Sequence, residues 1–161
     1  SAVQKPKFIM KHSLKYAPVL GWFGLRIGCI CVERGKRAQA IKSMVAEVKS
    51  GKSPAGQLII YPQGTRIARG VSAPYKIGTA ALFHVTGQIF LPAATNVGFF
   101  WPKYAILRQP GLAVVEFLPA IHPGLDNEEF MHKLEEMIEQ SSNALLEEAA
   151  ADRFYPLGRD T

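Results

Sequence analysis

Five short apolar runs are separated by segments of helical period, and this alternation confines the chain to an α/β architecture. The runs are Phe8-Ile9-Met10, residues 29–32, Leu58-Ile59-Ile60-Tyr61, Ile89-Phe90-Leu91 and residues 112–118. The run Phe8-Ile9-Met10 is consistent with a buried strand, and Glu116 interrupts the last run. Between them, Pro18 fits the first turn of one helix, where a missing amide hydrogen costs nothing. Residues 36–49 carry Ile41, Met44, Val45 and Val48 at helical spacing, and a polar, glycine-rich connection follows at 51–56. Pro74 is expected to open a further helix with Ile77, Ala80, Ala81 and His84 on one stripe and Gly87 past its end. The last helix begins near Asp126, which forms a capping-box-like pair with Glu129, and its stripe is Phe130, Leu134, Met137, Ile138 and Leu145. The expected fold is a single α/β domain over residues 1–161, a mixed and mostly buried sheet flanked by helices.

Composition excludes disordered and fibrous classes: 48% of the 161 residues are apolar and 20% charged. A chain this long buries a core without disulfides. Cys29 and Cys31 would share one strand face, and with no second pair to complete a zinc site they read as reduced core residues. Charge is the more informative property. Residues 1–80 hold fourteen Lys or Arg against two acidic residues, whereas residues 81–161 hold five against eleven. Such asymmetry points to a basic surface facing an anion: a nucleic acid, a membrane or a phosphorylated substrate. No apolar stretch reaches the ~18 residues of a spanning helix. Residues 17–32, with Arg26 as their one charge, divide into a helix and a strand and read as core, Trp22 and Phe23 as membrane-interface anchors being the alternative. The N-terminus lacks the pattern of a secretory signal, and a strand beginning at Lys7 suggests a chain that starts in mid-fold.

Most local motifs dissolve on inspection. Gly51-Lys52-Ser53 lacks the upstream glycine of a nucleotide phosphate loop, its place being taken by Ala46 inside an amphipathic helix. His84 falls on an apolar stripe, His132 sits among Glu135 and Glu136, and a proline turn separates His122 from Asp126; no histidine forms a base–orienter pair. The segment 58–66 is different. A strand stops at Pro62, and Gly64, Thr65 and Arg66 follow. Ligands of open α/β sheets bind beyond the carboxyl ends of strands. There a hydroxyl, a backbone amide and a guanidinium fork make a cradle for a phosphomonoester, although a tight turn with an exposed Arg accounts for the bare string equally well.

The company of this segment is more specific. The sequence resembles the lysophosphatidic acid acyltransferase family, the 1-acyl-glycerol-3-phosphate acyltransferases. The family's Phe-Pro-Glu-Gly-Thr-Arg motif is matched by Tyr61-Pro62-Gln63-Gly64-Thr65-Arg66, and its Gly-x-x-Phe-Ile-Asp-Arg block by Gly28-Cys29-Ile30-Cys31-Val32-Glu33-Arg34. Its Val-Pro-Val-Ala block is matched by Leu91-Pro92-Ala93-Ala94. Phe8-Ile9-Met10-Lys11 with Pro18-Val19-Leu20-Gly21-Trp22 is similar to the segment leading into the second block. The four blocks keep the family order between residue 8 and about residue 118. Two departures stand out. Gln63 replaces a glutamate, and the family's catalytic His-x-x-x-x-Asp pair is absent, since the residues five positions after His12, His84, His122 and His132 are Ala17, Ile89, Asn127 and Met137.

The resemblance implies a glycerolipid acyltransferase-like fold. It also implies transfer of a fatty acyl group from acyl-CoA or acyl carrier protein, as co-substrate rather than cofactor, to the free hydroxyl of lysophosphatidic acid. No metal is implied. Lys11, Arg34, Gln63, Gly64, Thr65 and Arg66 would form the phosphate site; Leu20, Trp22 and Phe23 would line the acyl path or touch lipid. The missing pair implies a fragment truncated at its N-terminus and inactive by itself, working at the cytoplasmic face of the membrane, peripherally or through a missing N-terminal anchor. Two alternatives are an acyltransferase for another lysophospholipid and a non-catalytic anionic-lipid-binding homologue. Nucleic acid is not expected, because aromatic residues are thinly interleaved with the basic ones.

Overall fold

The computed structural model describes residues 5–32, 41–42, 45–46, 49–50, 56–65, 67, 71, 73–102 and 106–154. These fall into two compact units, one drawn from residues 1–64 and 76–87, the other from 65–75 and 88–161.

The first unit is built on a three-stranded parallel sheet in the order β2-β1-β3, with β1 Pro6–Lys11, β2 Ile30–Val32 and β3 Gln57–Ile59. Phe8 pairs with Ile59, and Lys11 with Val32. Lys7 and Ile30 are buried, but Phe8, Ile9, Met10, Leu58 and Ile59 are half-buried, less covered than their apolar runs suggest. Among the described residues, β2 and β3 are the outer strands of this sheet. β3 ends at Ile59 rather than at Tyr61, because its pairing with β1 extends over three residues only.

After β1, a 3-10 helix at His12–Tyr16 leads into helix α1, Leu20–Arg26. The Gly21 amide donates to the Ala17 carbonyl at 2.8 Å, and Pro18 lies in the turn before α1 rather than in its first turn, because the helix starts at Leu20 with Val19 as its N-cap. Gly24 lies against Met10, and a Cβ there would stand 2.8 Å from the Met10 sulfur. Of the amphipathic segment 36–49, Ile41, Lys42, Val45, Ala46 and Lys49 are described and all are helical, with Ile41 and Val45 on the better-covered side. Met44, Val48 and the connection 51–55 lie outside the described residues.

Helix α2, Gly78–Thr86, completes this unit and ends on Gly87 at φ 57°. Two expectations about it fail. Pro74 does not open it: residues 73–76 are irregular, and the helix starts four residues later. Its buried face is Thr79, Ala80, Leu82 and Phe83, while Ile77 and His84 are exposed. His84 is therefore a surface residue, its ring edge-on to Phe83 with centroids 5.5 Å apart.

The second unit packs an antiparallel ribbon, β4 Ala93–Thr95 and β5 Val115–Phe117, against the long helix α4, Asn127–Phe154. Ala94, Leu118 and Leu145 are buried together, with Val114, Met137 and Ile138 around them. A short helix α3, Val97–Phe100, contributes Phe99 and Phe100 to a second cluster with Ala149. The strand expected at Ile89–Leu91 is displaced past Pro92. Only Phe90 bridges, to Ile121, and the Pro92 carbonyl accepts from Leu118. Proline has no amide hydrogen to continue the ladder on its own side. β5 is shorter than the run 112–118 because Asn96 captures the Leu112 and Val114 backbone. The last helix matches expectation. The Asp126 carboxylate accepts from the amides of Glu128 and Glu129, the Glu129 carboxylate accepts from the Asp126 amide, and Phe130 and Leu134 are buried. No helix among the described residues is long and apolar enough to cross a membrane.

Candidate functional site

β1 and β3 run parallel, so their carboxyl ends share one edge of the sheet. Lys11 closes β1 at that edge, exposed and paired in register with Val32 of β2. The chain leaving β3 turns there as well. The Gly64 amide donates to the Tyr61 carbonyl at 2.9 Å, and Gly64 takes φ 69°, a left-handed conformation that β-carbons disfavour. Gln63 is half-buried, and Thr65 is exposed directly after the turn. A side chain at Gly64 would meet nothing closer than Lys76 Cγ at 3.7 Å, so the glycine is required by its backbone angle rather than by space.

The structure thus brings Lys11, Gln63 and Gly64 to one end of one sheet. Arg34, two residues beyond β2, and Arg66, two beyond Gly64, lie outside the described residues, so their side chains have no described place. Leu20, Trp22 and Phe23 are exposed on α1, at 65%, 57% and 57%. The reading of residues 17–32 as core fails for this helix, whose buried positions are Gly21 and Gly24. Small residues face inward on α1 because the 3-10 helix and Met10 come too close for larger ones. Arg26 stacks over Trp22, 5.2 Å from its ring centroid, adding positive charge to the apolar surface.

Lys76 is the residue that sequence reasoning missed. Its amide donates to the Pro62 carbonyl at 2.8 Å, fastening it to the turn, and its stem lies over Gly64. Nothing local signals this contact, since Lys76 stands twelve positions further along the chain.

Two described groups that invite a chemical reading elsewhere are structural. The Tyr75 hydroxyl donates to Glu139 Oε1 at 2.9 Å. Burial pushes its pKa far above the ordinary value, and the hydrogen bond and charge of Glu139, with the charge of Glu135, push the same way. A phenol held neutral in this manner braces two segments and is no proton donor near neutral pH. His132 stands 3.9 Å from Glu136 on the solvated face of α4, too exposed to act as an oriented base.

A family model described as Acyltransferase matches residues 1–96. The chain is 31% identical over 114 residues to the 1-acyl-sn-glycerol-3-phosphate acyltransferase of Pseudomonas aeruginosa, covering 71% of this chain and 44% of that protein. It is 31% identical over 118 residues to the protein of the same name from Saccharomyces cerevisiae, covering 69% and 38%. The chain therefore spans less than half the length of these two relatives. In fold it is similar to the crystal structure of the 1-acyl-sn-glycerophosphate (LPA) acyltransferase PlsC from Thermotoga maritima. The TM-score is 0.69 at 20% identity, over 88% of this chain and 56% of that one. A parallel sheet carrying a glycine turn at its carboxyl edge, within a matched segment covering more than half the sequence, places the chain in the acyltransferase family.

Proposed function

We propose that this chain is the acceptor-binding part of an acyltransferase that converts lysophosphatidic acid into phosphatidic acid at a membrane surface. The observation that carries the reading is the turn at residues 61–64, set beyond the carboxyl end of β3 with Lys11 at the same sheet edge. Arg34 and Arg66 follow β2 and the turn in sequence, and a guanidinium fork suits a phosphomonoester better than an ammonium does. In the reaction the acceptor hydroxyl oxygen attacks the thioester carbonyl of acyl-CoA or acyl carrier protein. The new C–O ester bond forms, the C–S bond breaks, and the thiol leaves. A general base must take the hydroxyl proton. Since no histidine here has an acidic residue five positions later, we expect the base from outside these 161 residues and no turnover by the chain alone.

The exposed apolar face of α1 supports work at a lipid surface, because Leu20, Trp22 and Phe23 are exposed there and Arg26 stacks over Trp22. Aromatic and cationic side chains together suit an anionic headgroup layer. The test is a transfer assay on a protein that joins this chain to a His-x-x-x-x-Asp segment, with both thioester donors and a panel of lysophospholipids. Phosphatidic acid should be the main product. Equal use of lysophosphatidylcholine would assign a different acceptor.

A further inference from the structure

We propose that Lys76 supplies a positive charge to the acceptor phosphate at the Gly64 turn, an inference that rests on the phosphate reading of that turn. Two contacts hold the residue in place. Its amide donates to the Pro62 carbonyl at 2.8 Å, so its backbone is fixed to the turn. Its Cγ and Cε lie 3.7 and 4.0 Å from where a Cβ of Gly64 would sit, so the stem crosses the face that the glycine leaves open. The ammonium is one bond beyond Cε and cannot stray far from the turn.

Lys76 is nevertheless exposed, and no described residue places a carboxylate against its ammonium. This is the arrangement of a long cationic side chain that packs its methylenes and leaves its charge in water. Such a charge adds attraction for a dianionic phosphomonoester without the entropy of recruiting a free side chain, since most of the stem is already placed. Within the turn the Gly64 amide is already given to the Tyr61 carbonyl, so a neighbouring cation adds what that amide cannot. A purely structural lysine would cover Gly64 with its methylenes and be indifferent to its own charge.

The test is a titration of the 161-residue chain with a monomeric short-chain lysophosphatidic acid, and with the matching lysophosphatidylcholine, at low and high salt. Lys76→Gln keeps most of the stem and removes the charge; Lys76→Arg keeps the charge. Lys76→Gln should weaken lysophosphatidic acid about fivefold, the size expected for an exposed ion pair, and should flatten the salt dependence. Lys76→Arg should bind within about twofold of the wild type by the same reasoning, and circular dichroism should be unchanged in both. Equal binding by Lys76→Gln and the wild type would overturn the inference alone, as would an equal loss in Lys76→Arg. Failure of the wild type to prefer lysophosphatidic acid to lysophosphatidylcholine would overturn the phosphate reading beneath it.

Discussion

Asn96 Oδ1 accepts the Val114 amide hydrogen at 2.7 Å, while its Nδ2 donates to the Leu112 carbonyl at 3.3 Å. One buried side chain thereby takes up backbone groups just past the last β4–β5 pair, beside a long backbone bond from the Asn96 amide to the Val114 carbonyl at 3.4 Å. Asn96→Ala leaves a backbone donor without its partner, and stability should fall by about 2 kcal/mol in chemical denaturation. Thr95→Val, which removes an exposed bond to the Val114 carbonyl, should cost roughly 0.5–1 kcal/mol. Equal effects would show that burial does not set the difference.

The two buried glycines of α1 should respond differently to the same change. A Cβ on Gly21 meets the Lys15 carbonyl and stands 2.8 Å from the Leu14 carbonyl, both backbone atoms. Gly21→Ala should therefore cost about 1–3 kcal/mol, as overpacking does. At Gly24 the obstacle is the end of the flexible Met10 side chain. There the helix propensity of alanine, better by roughly 1 kcal/mol, offsets the adjustment, and the net change should be near zero. Thermal melts of the two variants decide this.

Tyr75 gives stability a pH signature. Its pKa is raised by burial and by Glu139, so the folded state keeps a proton that the unfolded state loses above about pH 10. The stabilisation is whole below that point and is lost as pH rises through the folded value. Tyr75→Phe should cost about 1 kcal/mol at neutral pH, and the gap to the wild type should narrow above about pH 10. A gap that widens there would contradict the assigned cause.

The exposed face of α1 should hold the chain on anionic vesicles in flotation at low salt. Trp22→Ser with Phe23→Ser should release it while leaving the fold intact, since both side chains are more than half exposed. Release by salt alone, with the double variant floating normally, would assign the attachment to the basic residues and not to the aromatic pair.

How much of this was legible in the sequence depended on whether local pattern or distant packing decided each element. The cap at Asp126 and the stripe beginning Phe130, Leu134 were legible because α4 alternates a clear apolar face with acidic residues. The face of α2 was not. Thr79, Leu82 and Phe83 are buried where Ile77 and His84 were expected, since a nine-residue helix apolar on most sides offers several comparable stripes. β4 was placed on the better strand formers Ile89-Phe90-Leu91, but Ala93, Ala94 and Thr95 pair with β5. At the site, the strand stop and glycine turn could be read directly. Lys76 could not, because its contact with Gly64 joins positions that no local motif links.

The most direct test of the phosphate site follows the amides of Gly64 and Thr65 by NMR while monomeric lysophosphatidic acid is added to the chain. Both signals should shift saturably, and lysophosphatidylcholine should move them little. Arg66→Lys should weaken the effect and Arg66→Ala weaken it further, by roughly ten- to a hundredfold if a charge-assisted bond of about 1.5–3 kcal/mol is lost. Shifts confined to other parts of the chain, or unchanged in a folded Arg66→Ala variant, would contradict the assignment of this turn to the acceptor phosphate.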